Sequence, residues 1–110
     1  MTDRLSQTLA ALADPTRRAI LAKLQLGDFS IAELAQPFDV GVRAVSKHVG
    51  VLERAGLLSK GRDAQRRPSH LELTPLREVD EWLGNYRRLW VTRMDNIADV
   101  IARINKGELL

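Results

Sequence analysis

The chain has 110 residues, enough for one modest hydrophobic core and too few for two. It contains no cysteine, which excludes disulfides, thiolate metal sites and thiol redox sensing, and suits a reducing compartment. The net charge is only +3, but residues 41–70 carry 7 basic and 2 acidic side chains while the segments on either side nearly balance. A basic excess confined to one stretch is the electrostatic footprint of a nucleic-acid partner rather than a solubility device.

No apolar run approaches the ~18 residues of a membrane span, and MTDRLSQTLA lacks a signal-peptide pattern. The expectation is therefore a soluble, cytoplasmic protein. Leu5, Leu9 and Leu12, spaced four and three apart, predict a short amphipathic helix over residues 4–13. Asp14-Pro15 restarts the chain with an acidic N-cap and a proline at the first helical position. The helix so begun runs to Leu26, buries Ile20, Leu21 and Leu24, and stops at Gly27; Arg17 is placed to pair with Asp14 one turn back.

Ser30-Ile31-Ala32-Glu33 is a capping-box pattern, and Pro37 confines the helix it starts to about two turns. Ile31, Leu34 and Phe38 are its core contacts. A turn over Phe38–Gly41 leads to a second helix, capped by Gly41 and stopped at Gly56. On that helix Val45, Val49 and Leu52 share one side, while Arg43, Lys47, Gly50 and Arg54 occupy the opposite one with Ser46 on its flank. Cations on such a face meet phosphates or guanine edges when the helix lies in a major groove. A solvated polar face is the alternative, and the preceding short helix and turn favour DNA. His48 lies at the edge of the inward face; donation to a phosphate oxygen and packing against a neighbouring helix both remain open.

Leu58–Arg62 and Ser69–Leu73 predict two strands joined by a polar turn, with Arg62, Arg66 and Arg67 near its tip. Directly after a helix-turn-helix, a hairpin with three arginines suits the wing of a winged helix, which reaches flanking phosphates or the minor groove. Thr74-Pro75 then starts a helix of about 30 residues, with Leu76, Val79, Leu83, Tyr86, Trp90, Met94, Ile97, Ile101 and Ile104 in one apolar seam. A single domain this small has little use for so long a seam, so a second copy is expected to cover part of it.

The expected fold is mainly α with a small β part (α+β): a winged helix-turn-helix with a two-stranded wing and a long C-terminal dimerisation helix. One domain spans residues 1–110, with the helix-turn-helix over 30–56, the wing over 57–73 and dimerisation helices over 4–13 and 75–104. The DNA-facing candidates are Val42, Arg43, Ser46, Lys47, His48, Arg54, Arg62, Arg66 and Arg67. The dimer-interface candidates are Leu5, Leu9, Leu12, Tyr86, Trp90, Met94, Ile97 and Ile101.

ALADPTRRAIL, ELAQPF, AVSKHVGVLERAGLL and the RRP-containing hairpin together resemble the ArsR family of bacterial winged-helix transcriptional regulators, over nearly the whole chain from Leu9 to Leu89. The resemblance implies a dimeric repressor whose two recognition helices and two wings hold one pseudo-palindromic operator, with the first and last helices at the dimer interface. It also brings departures. The metal-sensing branch of the family places cysteines on the helix over Ile31–Gln36, or Asp and His ligands on the final helix. Here there is no cysteine, and the two histidines lie on the second helix and in the wing. Asp95 and Asp99 share a face, but Arg93 and Arg103 are within reach and solvated carboxylates account for them. The chain therefore resembles the metal-independent branch, whose inducers are often unknown, which implies no cofactor and leaves open whether a small-molecule inducer exists. Gly41, Val42 and Arg43 stand where relatives often carry Ser-Gln-Pro, so base contacts there do not carry over.

An alternative of a different class is a winged-helix interaction module that presents its basic patch to an acidic protein. Salt-dependent binding to duplex DNA distinguishes the two. Enzymatic function finds little support: Ser46 and His48 diverge by about 200° on one helix and form no nucleophile–base pair, and no phosphate-binding glycine loop is present.

Overall fold

The computed structural model describes residues 3–38, 41–62 and 67–107. In chain order the elements are α1 (Arg4–Leu12), α2 (Pro15–Leu24), α3 (Ile31–Ala35), α4 (Val42–Arg54), β1 (Leu58–Lys60), β2 (Ser69–Leu71) and α5 (Thr74–Asn105). Asp39 and Val40 of the predicted turn, and Arg66 of the predicted wing tip, lie outside the described residues. The chain falls into two units, one up to Val79 and one from Asp80, described in turn.

In the first unit α1, α2 and α3 each start where a side chain satisfies orphan amides. Asp3 caps α1, its carboxylate accepting from the Ser6 amide at 3.1 Å and from the Ser6 hydroxyl at 2.6 Å. Asp14 caps α2 by accepting from the Arg17 amide at 3.0 Å, with Pro15 at the first helical position. Ser30 and Glu33 form the full reciprocal box at α3: the Glu33 amide donates to Ser30 Oγ at 3.2 Å and the Ser30 amide to Glu33 Oε1 at 3.0 Å. The exception is α4, which Gly41 heads with no side-chain cap. At its other end Gly56 takes the left-handed conformation at φ +77°. There the Leu57 amide donates to the Leu52 carbonyl and the Gly56 amide to the Glu53 carbonyl, each at 2.9 Å, which closes α4 in a Schellman motif.

Ile20, Leu34, Val45, Val49, Leu52 and Leu57 are wholly buried and form one core with Leu21, Leu24 and Leu58. Ile31, Phe38, Phe29, Leu71 and Leu76 pack around its margin. The period of α4 thus faces inward as expected, and the α3 contacts fall where predicted.

Four details differ from the sequence expectation. In α1 the residues buried within the chain are Thr8 and Ala11, which the leucine spacing does not mark; the Thr8 hydroxyl tolerates burial by donating to the Arg4 carbonyl at 2.9 Å. Leu9 is exposed and Leu5 half-buried, whereas Leu12, expected at a dimer interface, packs against the core of its own chain. Second, α2 ends at Leu24, and Leu26 is exposed.

Third, both strands are shorter than predicted. They pair antiparallel as Leu58–Leu71, Ser59–His70 and Lys60–Ser69. The Gly61 amide donates to the Pro68 carbonyl at 2.8 Å, but Pro68 has no amide to return, so the regular ladder stops. At the other end the Leu73 carbonyl already accepts from the Arg77 amide at 2.9 Å, so the chain is turning into α5 and Leu73 stays exposed. Fourth, Phe29 forms a bridge to Ser69, exchanging two backbone hydrogen bonds of 3.2 and 2.7 Å. Strand β2 of the hairpin is therefore tied to the α2–α3 connection.

The second unit is the continuation of α5. From Asp80 to Gly107 every residue except the half-buried Gly84 is exposed. Trp82 and Tyr86 meet edge to face at 5.5 Å, and Arg87 pairs with Asp80 at 2.7 Å.

Candidate nucleic-acid interface

With Val45, Val49 and Leu52 pinned in the core, helical geometry fixes what α4 presents on its other side. Val42, Arg43, Ser46, Lys47 and Arg54 are all exposed. Among the described residues, Arg43 and Lys47 have no ion-pair or hydrogen-bond partner, and α4 has no acidic residue in its first turn. Two uncompensated cations on the first two turns leave a local positive field that a polyanion can neutralise with counterion release. Arg54 behaves differently. Its guanidinium Nη1 lies 3.3 Å from where a Cβ on Gly50 would stand, so the space left by the glycine is taken by this arginine.

The wing candidates divide by position. Arg62 and Arg67 are exposed, one on each side of the tip. Arg67 adopts a left-handed φ of +39°, an uncommon conformation for a residue other than glycine, just before Pro68. Arg66 lies outside the described residues. Along β1, Lys60 approaches Glu53 of α4 at 3.7 Å, and Ser59 donates to Glu72 at 2.8 Å. His70 Nδ1 meets Asp28 Oδ1 at 2.8 Å, and this contact raises the imidazole pKa above its ordinary value. Together with the Phe29–Ser69 bridge it holds β2 from outside. Sequence reasoning misses this contact, because the alternation through His70 gives no sign of a partner so far away in the chain.

His48 is half-buried, and its Nδ1 lies 3.3 Å from Arg17 Nη1 and 3.9 Å from Asp14 Oδ2. Arg17 does not use its guanidinium on Asp14, the partner its spacing suggests. It donates instead from Nε to the Ala11 carbonyl at 2.7 Å and from Nη2 to the Ala10 carbonyl at 3.1 Å, at the C-terminal end of α1. Asp14 is engaged by the Arg17 amide, which holds its carboxyl below the usual range.

Among the described residues no group of three or more His, Cys, Asp or Glu side chains is placed to hold a metal ion. Nor is any helix among them long and apolar enough to cross a membrane.

Comparison with known proteins agrees with this geometry. Residues 12–60 match the family model described as a helix-turn-helix domain. The transcriptional repressor SdpR of Bacillus subtilis is 30% identical over 82 residues, covering 74% of this chain and 91% of the repressor. The HTH-type transcriptional regulator Rv2034 of Mycobacterium tuberculosis is 36% identical over 91 residues, covering 83% and 82% of the two chains. Among solved structures, that of an ArsR family transcriptional regulator superimposes with a TM-score of 0.74 at 36% identity, over 80% of this chain and 97% of that one. An ArsR-like transcriptional regulator from Rhodococcus sp. RHA1 gives a TM-score of 0.69 at 27% identity, over 88% and 92% of the chains.

Proposed function

The chain belongs to the ArsR family of winged-helix transcriptional regulators, and from that premise we propose that it represses transcription by binding duplex DNA as a homodimer. In this reading two copies of α4 enter successive major grooves of a pseudo-palindromic operator while the wings hold the flanking backbone. The observation that carries it is the outward face of α4, where Arg43 and Lys47 stand exposed and, among the described residues, unpaired above a fully buried Val45–Val49–Leu52 face. Val42, Ser46 and Arg54 complete the α4 surface, and Arg62, Arg66 and Arg67 supply phosphate contacts from the wing.

The second copy is argued from α5. Tyr86, Trp90, Met94, Ile97 and Ile101 are each more than half exposed, a continuous apolar surface of the kind that monomeric proteins rarely leave in water. We assign them, with Leu5 and Leu9 of α1, to the dimer interface. The protein acts in the cytoplasm, as its relatives' roles as bacterial transcription regulators support.

We place the protein in the metal-independent branch, a regulator and not an enzyme. The cysteine-free sequence and the lack of a ligand group among the described residues support this. Titration of a fluorescent duplex over a salt series tests the DNA reading. Affinity should fall steeply with salt, the log–log slope being about −0.9 per phosphate neutralised. A flat salt response, with tight binding to an acidic protein instead, would favour the interaction-module alternative. Near-stoichiometric zinc should leave the same titration unchanged, and a reversible shift of about tenfold, ~1.4 kcal/mol, would contradict the metal-independent assignment.

A further inference from the structure

The Arg17–His48 contact assigns a role to each of its partners. A guanidinium carries only N–H donors and never accepts. With Arg17 Nη1 at 3.3 Å, His48 Nδ1 must therefore supply the lone pair, and the proton of the neutral ring sits on Nε2. The competing carboxylate does not reverse this: Asp14 Oδ2 is 3.9 Å from Nδ1, beyond hydrogen-bond length, and already accepts from the Arg17 amide at 3.0 Å. Nor can Arg17 swing away cheaply, because Nε and Nη2 are held by the Ala11 and Ala10 carbonyls at 2.7 and 3.1 Å. A planar fork fixed at two points aims its third donor.

The other ring nitrogen is left open. Among the described residues Nε2 has no hydrogen-bond partner, yet the one buried side-chain polar atom without a partner is Ser69 Oγ, so Nε2 reaches solvent. His48 follows Lys47 directly on α4, at the edge between the buried and the basic faces.

We propose that Arg17 is a positioning residue that locks His48 as the Nε2–H tautomer and presents that N–H to a backbone phosphate beside the α4 groove site. Each nitrogen then serves one of the two readings of His48, Nδ1 the packing and Nε2 the phosphate. The proposal rests on the DNA-binding reading above. A neutral Nε2–H donor adds affinity without releasing a counterion, which separates it from Lys47 and the wing arginines.

Nitrogen-15 NMR of the free wild-type protein at neutral pH reads the tautomer without DNA. A protonated Nε2 and an unprotonated Nδ1 are expected, and an Nδ1–H form or an even mixture would overturn the lock. Arg17→Lys, which keeps the charge but not the fork, should raise the Nδ1–H fraction to that of a free histidine side chain while leaving the circular-dichroism spectrum unchanged. If that variant fails to fold, the wild-type spectrum alone decides the tautomer. His48→Phe should then weaken binding to any duplex by roughly tenfold for each protomer bound, the range for a hydrogen bond to a charged group, and so by roughly a hundredfold for the dimer. Its plot of log affinity against log salt should run parallel to that of the wild type. An unchanged affinity would overturn the phosphate contact, and a slope lowered by one phosphate for each protomer would show a charged histidine instead. A wild type that binds no duplex at all would overturn the underlying DNA reading, and the phosphate role with it, irrespective of the tautomer.

Discussion

Replacing Trp90 with glutamate should dissolve the dimer without unfolding the protomer. Trp90 is 68% exposed in the single chain, so of the roughly 250 Å² of a tryptophan about 170 Å² remains available to a partner. If a second copy covers half of that, about 85 Å² per protomer leaves water, worth about 2 kcal/mol at ~25 cal/mol per Å². A two-fold interface contains the residue twice, so the loss approaches about 4 kcal/mol, and the dimer dissociation constant should rise by about a thousandfold. Two carboxylates brought to the same seam would add to that figure. Sedimentation equilibrium across a concentration series measures it, and the far-UV spectrum checks that the helices persist. A dissociation constant within threefold of wild type would refute the assignment of the α5 seam to the interface.

Arg43→Ala should weaken operator binding more than binding to scrambled duplex, because a bidentate base contact discriminates by about 1–3 kcal/mol. Removing Arg66 and Arg67 together should weaken both duplexes by similar factors and flatten the salt slope by about one unit for each phosphate no longer neutralised; titrations of both variants on both duplexes decide it. The Asp28–His70 pair stabilises the protonated imidazole, so its folded-state pKa lies above the ordinary value. Its stabilising effect is therefore full below pH 6.5 and is lost as pH rises through the raised value. An NMR titration of His70 should show the pKa fall in Asp28→Asn, and an unchanged pKa would mean that the pair does not form in solution.

Much of the fold is legible in the sequence because its signals are periodic or local. Val45, Val49 and Leu52 share a helical face whatever they pack against, and the Ser30–Glu33 box needs only its own first turn. Gly56 marks the end of α4 because few other residues adopt its φ of +77°. The inner face of α1 is not legible. Leucine spacing marks Leu5, Leu9 and Leu12 as an apolar stripe for a second copy, and nothing local marks small Thr8 and Ala11 as the residues buried within the chain. The reach of Arg17 is hidden for a related reason. Its spacing suggests the nearest carboxylate, whereas the carbonyls at the end of α1 and the ring of His48 come close only through tertiary packing. The anchoring of the hairpin by Asp28 and Phe29 joins residues some forty positions apart and leaves no local pattern.

Whether paired α4 helices read an operator is tested most directly by selecting bound duplexes from a random DNA pool with the purified protein. The expected result is enrichment of an inverted repeat whose half-site centres lie about one helical turn apart, ~10 base pairs or a multiple of it. Enrichment of no sequence, or of a single asymmetric half-site by a protein that remains dimeric, would contradict it.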